Sequence, residues 1–154
     1  MLGNHEVYVG QPAVAFIEGG GFRVLRNEGV QVAERVWIMG VDDPVSRPTT
    51  EPALPPYGVY RILLKHRPAM SQNPVPFDLQ LSGHTHGGQI FPFGFLISRF
   101  YPLPDGLSRH GDCHLYKSRG SGSWGPPFRG LAPPEITFFE IAHLSPPSLR
   151  DDGS

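Results

Sequence analysis

The sequence predicts an α/β domain built on a mixed sheet, with its functional groups at strand ends. Three observations carry this. Apolar segments of strand length outnumber those of helical length. Those segments repeatedly end in polar, glycine-containing loops. The loops hold side chains of metal-ligand type.

Taken in order, Met1 to Glu6 opens without a strand or a helix cap in front of it. Pro12 to Glu18 suits a short helix, with proline in its first turn and Gly19-Gly20-Gly21 to end it. Phe22 to Leu25 reads as a short strand, Asn27-Glu28-Gly29 as a turn, and Val30 to Ala33 as continuing extended. Val36 to Val41 is apolar at consecutive positions, which predicts a strand buried on both faces. A Pro-rich connection follows from Asp42 to Pro56, where prolines hem in the helix former Glu51-Pro52-Ala53-Leu54. Tyr60 to Leu64 is a second buried strand, and Phe77 to Leu81 a third. Ile90 to Gly111 is aromatic and Pro-rich with no regular period. His114 to Ser118 and the cleanly alternating Glu135 to Ile141 are the last predicted strands, and Ser145 to Ser154 reads as a flexible tail.

Composition bounds the function. The chain has 154 residues, 39% hydrophobic and 18% charged, enough for one domain with a core. A net charge of −1 provides no field for nucleic acid or an anionic membrane. One cysteine, Cys113, excludes an internal disulfide framework. No stretch approaches the ~20 apolar residues of a spanning helix and no signal peptide is visible, so a cytoplasmic location is the expectation. The 19 glycines and 18 prolines lie between apolar runs, as in a small scaffold with many loops.

The chemistry concentrates in Leu79-Gln80-Leu81-Ser82-Gly83-His84-Thr85-His86-Gly87-Gly88-Gln89. An apolar run ends, glycine breaks it, and two imidazoles follow on a glycine-lined turn. Neutral imidazole is the commonest protein metal ligand, and two at the open end of a strand are half of a metal centre. His66 closes another strand, and Asn4 and His5 stand near the start of the chain. Nitrogen and amide-oxygen donors from separate loops are how a strand-end site is assembled; the plainer reading makes each a polar residue at a loop entrance. Arg119, Arg129 and Trp124 lie in a Gly/Pro-rich loop, where arginine could fork onto a phosphate and the indole could stack on a leaving group. Asp42 and Asp43 suit a turn cap, with a substitute metal ligand as the alternative. His110-Gly111-Asp112-Cys113-His114 is dense in ligand types, but strand alternation would send Cys113 and His114 to opposite faces.

Gly3-Asn4-His5-Glu6, Leu64-Lys65-His66 and Gly83-His84-Thr85-His86 resemble, in order, the last three motif blocks of the calcineurin-like metallophosphoesterases. Arg26-Asn27-Glu28, Gly40-Val41-Asp42-Asp43-Pro44 and Tyr116 to Glu135 are similar to the bacterial, often membrane-tethered branch, so the resemblance covers about residues 3–142. It implies a partial metallophosphoesterase-like β-sandwich flanked by helices over residues 1–144, truncated at its N-terminal half. The family's Asp-x-His and Gly-Asp-x-x-Asp blocks should precede Gly3, and nothing stands there. By resemblance, Asn4, His66 and His84 bind one metal and His86 a second. His5 sits beside the phosphate, and Glu6 orients it. The donor set suits Zn, Mn, Fe or Ni, one or two per site. The implied activity is metal-dependent phosphoester hydrolysis, of phosphomonoesters with an alkaline preference and loose selectivity. The alternatives are an inactive metal-binding or dimerising fragment and a phosphodiesterase acting on lipid or nucleotide head groups. A half-domain would bare apolar surface, so a homodimer is expected.

Overall fold

The computed structural model describes residues 1–44, 54–70 and 76–142. Its centre is a six-stranded sheet in the order β1-β2-β3-β4-β6-β5. The strands are β1 (Glu28–Ala33), β2 (Val36–Val41), β3 (Tyr60–Lys65), β4 (Leu79–Ser82), β5 (Gly106–His110) and β6 (Cys113–Lys117). β2, β3, β4 and β6 run parallel, while β1 and β5 pair antiparallel at the two edges. The helices are α1 (Asn4–Val9), α2 (Gln11–Gly19) and α3 (Phe93–Phe100), with a short 3-10 turn at His86–Gly88. Among the described residues, no helix is long and apolar enough to cross a membrane.

The apolar runs Val36–Val41 and Tyr60–Leu64 became neighbouring parallel strands, buried at Met39-Gly40 and Ile62-Leu63 and half-buried at their other positions, less covered than the expectation of burial on both faces. The register lines up Met39, Leu63, Gln80 and Leu115 as one row across the sheet, and all four are buried to within 1% of complete. Gln80 is the polar member. Its Nε2 donates to Ser82 Oγ at 2.9 Å and to the Ala69 carbonyl at 3.2 Å, tying β4 to the segment after β3.

Several predicted elements differ. Phe22–Leu25 forms no ladder, and neither does Glu135–Ile141, although Ile136 and Phe138 alternate outward at 93% and 89% exposure. Strand pairing needs a neighbour as well as a period, and Glu135 N–H finds only the Gly120 carbonyl, at 3.0 Å. The stretch from Ile90 to Gly111 contains α3 and β5. The chain start is helical from Asn4. Glu6, three residues after Gly3, accepts the Gly3 N–H at 3.1 Å and caps the turn. The predicted tail and most of the proline-hemmed segment at 51–54 lie outside the described residues.

Candidate metal centre

The parallel register brings the site together. Leu64 pairs with Leu81, so the residues after β3 and β4 leave the sheet side by side, and Gly83 N–H donates to the His66 carbonyl at 3.0 Å. His66 and His84 are thereby neighbours, with ring centroids 4.7 Å apart and planes at 71°. The chain start reaches the same edge through the end of β2. Leu2 N–H donates to Asp42 Oδ1 at 3.0 Å, and Asp43 N–H donates to the Leu2 carbonyl at 3.1 Å. Gly3 then has to be glycine, because a Cβ there would lie 2.8 Å from His66 Cε1. Asn4 follows and sets its Oδ1 2.8 Å from His66 Nε2, while His84 Nδ1 lies 2.9 Å from the same nitrogen.

That trio cannot satisfy itself. Asn4 Oδ1 accepts only, and each neutral imidazole carries one proton. If His66 Nε2 is protonated, two acceptors compete for one hydrogen. If it is not, its lone pair faces the amide oxygen. A cation shared by the three would resolve the conflict, since donors held ~2.0–2.1 Å from a common ion stand ~3 Å from one another. Among the described residues, no three His, Cys, Asp or Glu side chains gather closely enough to hold an ion by themselves. The amide oxygen of Asn4 stands beside the two imidazoles.

The electrostatics agree. Burial, with His66 and Arg67 adding repulsion, pushes the His84 imidazole down to about 4. Burial also lowers His66, and burial together with Arg129 lowers His86. All three are held in the neutral form that binds metal. The folded protein resists protonation of His84 until pH approaches 4, whereas the unfolded chain accepts the proton near 6.5. The unfolded state therefore holds more protons across that window, and stability rises with pH. The metal-free protein is expected to keep a constant melting temperature above pH 6.5 and to lose stability progressively from 6.5 to 4. His84→Gln should flatten that decline, and a wild-type profile that is flat there contradicts a part-buried, neutral His84.

The turn after β4 is strained where the chemistry sits. His84, His86 and Gln89 have positive φ of 68°, 50° and 46°, costly for residues with a Cβ. The His86 Nδ1 and Thr85 Oγ1 are buried without a partner. Surrounding groups hold the turn in place. Arg129 Nη2 donates to the His86 carbonyl at 2.7 Å and its Nη1 to the Gly120 and Gly122 carbonyls. Gln89 clasps Trp124, accepting its N–H and donating to its carbonyl, each at 2.6 Å.

A cavity of about 490 Å³ opens in front of the trio, lined by Asn4, His5, His66, His84, His86 and, on another side, Trp124. Arg119 and Arg129 do not line it. Arg119 pairs with Glu135 at 2.8 Å and Arg129 donates to five backbone carbonyls, so both serve the loop and neither is presented to a phosphate as the sequence suggested. The Glu6 carboxylate accepts the Gly3 N–H and so caps the turn that carries His5. Asp42 is held by Arg26 at 2.8 Å and Asp43 by Arg67 at 2.7 Å, so neither enters the cavity as a substitute ligand. The His110–Cys113 pair closes the β5–β6 hairpin, where Cys113 Sγ donates to the His110 carbonyl. Sequence reasoning missed Tyr101, whose ring meets His84 edge-on at 5.5 Å, and the Gln89 clasp. The only signal for Gln89 was its place at the end of the glycine-lined turn.

The comparisons with known proteins point the same way as the site. Over 92% of its length the chain is 38% identical to an uncharacterized metallophosphoesterase of Aquifex aeolicus, covering 59% of that protein. It is also 38% identical over 92% of its length to the uncharacterized metallophosphoesterase YkuE of Bacillus subtilis, covering 54% of it. Over 91% of its length it is 30% identical to Escherichia coli YaeI, named a phosphodiesterase, covering 56% of that protein. No family model and no solved structure matches the chain. The chain belongs to the calcineurin-like metallophosphoesterase family, and it spans about half the length of the curated relatives it matches.

Proposed function

We propose that this chain carries the metal-binding face of a metal-dependent phosphoester hydrolase, one that cleaves phosphomonoesters with an alkaline preference and loose selectivity. The observation that carries the reading is the cluster of lone pairs on Asn4 Oδ1, His66 Nε2 and His84 Nδ1, drawn from three separated segments. A divalent Zn, Mn, Fe or Ni ion held there would supply Lewis acidity toward a phosphoryl oxygen. His86, which lines the same cavity, would be the ligand to a second ion. His5 is exposed at the cavity rim, free to protonate the departing alkoxide. Trp124 offers a stacking face for the leaving group. Arg119 and Arg129 contribute by fixing the loop that carries it. Because His84 is neutral from about pH 4 upward, the alkaline preference rests on ionisation of the attacking water.

Turnover of p-nitrophenyl phosphate against bis(p-nitrophenyl) phosphate, with and without chelator, tests this. Faster chelator-sensitive monoester cleavage is expected. Faster diester cleavage moves the assignment to a phosphodiesterase, the activity in the name of YaeI. Chelator-insensitive turnover, or none with metal bound, defeats the hydrolase reading.

The same reading includes a homodimer. Phe16, Phe22, Ile136 and Phe138 are each at least 70% exposed, a quantity of aromatic and aliphatic surface that a two-fold partner would cover. Sedimentation at micromolar concentration should give a dimer, and a stable monomer removes it.

A further inference from the structure

We infer that the cavity selects phosphoesters whose alcohol portion is apolar. The inference rests on the hydrolase reading and concerns the part of the cavity that the metal-binding groups do not use. The cavity lining is of two kinds. Asn4 and the imidazoles supply polar donors, and Ile90, Phe93, Ile97 and Trp124 supply carbon surface. No aspartate, glutamate, lysine or arginine lines it. A sugar or a second phosphate bound there would lose water without gaining a charged or bidentate partner. An alkyl or aryl group would instead exchange water for carbon on several sides.

The apolar side is built in rather than a chance exposure of α3. Gly88, in the turn that carries His86, lies against the Gly94 backbone at the start of α3, so closely that a Cβ on Gly88 would meet Gly94. Phe93 N–H donates to the Ile90 carbonyl at 2.8 Å. The helix supplying Phe93 and Ile97 is thus seated directly on the imidazole turn. The Gln89 clasp fixes Trp124 from the other flank. Both halves of the apolar wall are anchored to the same six residues that present the histidines, so phosphate and alcohol pockets keep a fixed relation.

Calorimetric titration of the Mn²⁺-supplemented full chain with methyl, butyl, hexyl, octyl and dodecyl phosphonate tests this without relying on turnover. Affinity should rise about two- to fourfold per methylene, the factor for burying a CH₂. A plateau by hexyl or octyl identifies small alkyl and aryl esters as the class. A rise continuing to dodecyl identifies long-chain ones. Ile97→Asn and Trp124→Ala should each at least halve the slope. Phe95→Ser, on the same helix but lining a neighbouring cavity, should leave it unchanged. Affinity independent of chain length, or a slope lost equally in Phe95→Ser, overturns the inference. If p-nitrophenyl phosphate is still cleaved in that case, the hydrolase reading survives. If no phosphonate binds and no ester is cleaved, both fall.

Discussion

His84→Ala is expected to lower kcat for p-nitrophenyl phosphate by about two orders of magnitude or more and to reduce the metal bound per chain. Loss of a group that merely orients a ligand already costs roughly 10–100-fold, and His84 supplies a donor itself. The fold should persist. Removing this imidazole leaves Asn4 Oδ1 and His66 Nε2 as a simple hydrogen-bonded pair at 2.8 Å, so the metal-free variant gives up the ring contacts to His66 and Tyr101 but also the competition for one hydrogen. Circular dichroism and elemental analysis on the same preparation separate the two effects. Native spectra with metal lost support a ligand, whereas native spectra with full metal and full activity place the centre elsewhere. His5→Ala provides the contrast. It stands at the cavity rim outside the trio, so its loss should reduce kcat with KM and bound metal nearly unchanged. A His5 variant that retains full turnover has no part in proton transfer.

The legible parts of this chain are those where local pattern and tertiary environment demand the same thing. Val36–Val41 and Tyr60–Leu64 are strands as their consecutive apolar residues announced, although only Met39-Gly40 and Ile62-Leu63 are buried and the rest are half-buried. The convergence of His66 and His84 was legible because each follows an apolar run, and parallel strands in register discharge their chains at one edge; Asn4 follows no strand and reaches them only through the hydrogen bonds of Leu2 to the end of β2. α3 was not legible. Phe-Gly-Phe-Leu-Ile-Ser-Arg-Phe contains glycine and sits in an aromatic, Pro-rich stretch with no cap residue before it, and the helix is fixed from outside by its seat on Gly88. Glu135–Ile141 failed for the opposite reason. Its alternation is clean, but among the described residues no strand lies beside it to complete a ladder. The partners of the two arginines were not legible because their type suits phosphate equally well as carbonyl oxygens. Only the structure reveals that the guanidinium of Arg129 is occupied by the turn it supports.

Two glycines in contact should respond in opposite directions. Gly88 has φ of +80°, and a methyl group there would be driven into the Gly94 backbone, which has no side chain to swing aside. The left-handed conformation costs alanine about 1–2 kcal/mol and the overlap about 1–3 more, so Gly88→Ala should destabilise the protein by roughly 2–5 kcal/mol. Relief requires α3 to lift from the turn, which also shifts His86, so hydrolysis should fall along with stability. Gly94 sits on the other side of the same contact, and its Cβ direction is different. A methyl there meets only the Gly87 carbonyl oxygen, at an ordinary 3.7 Å. Within a helix, alanine is favoured over glycine by roughly 0.5–1 kcal/mol, so Gly94→Ala should be neutral or stabilising. Chemical denaturation of the two variants measures the difference directly. If Gly88→Ala is as stable as the wild type, the seat of α3 on the imidazole turn is not tight, and the fixed relation between the apolar wall and the histidines goes with it.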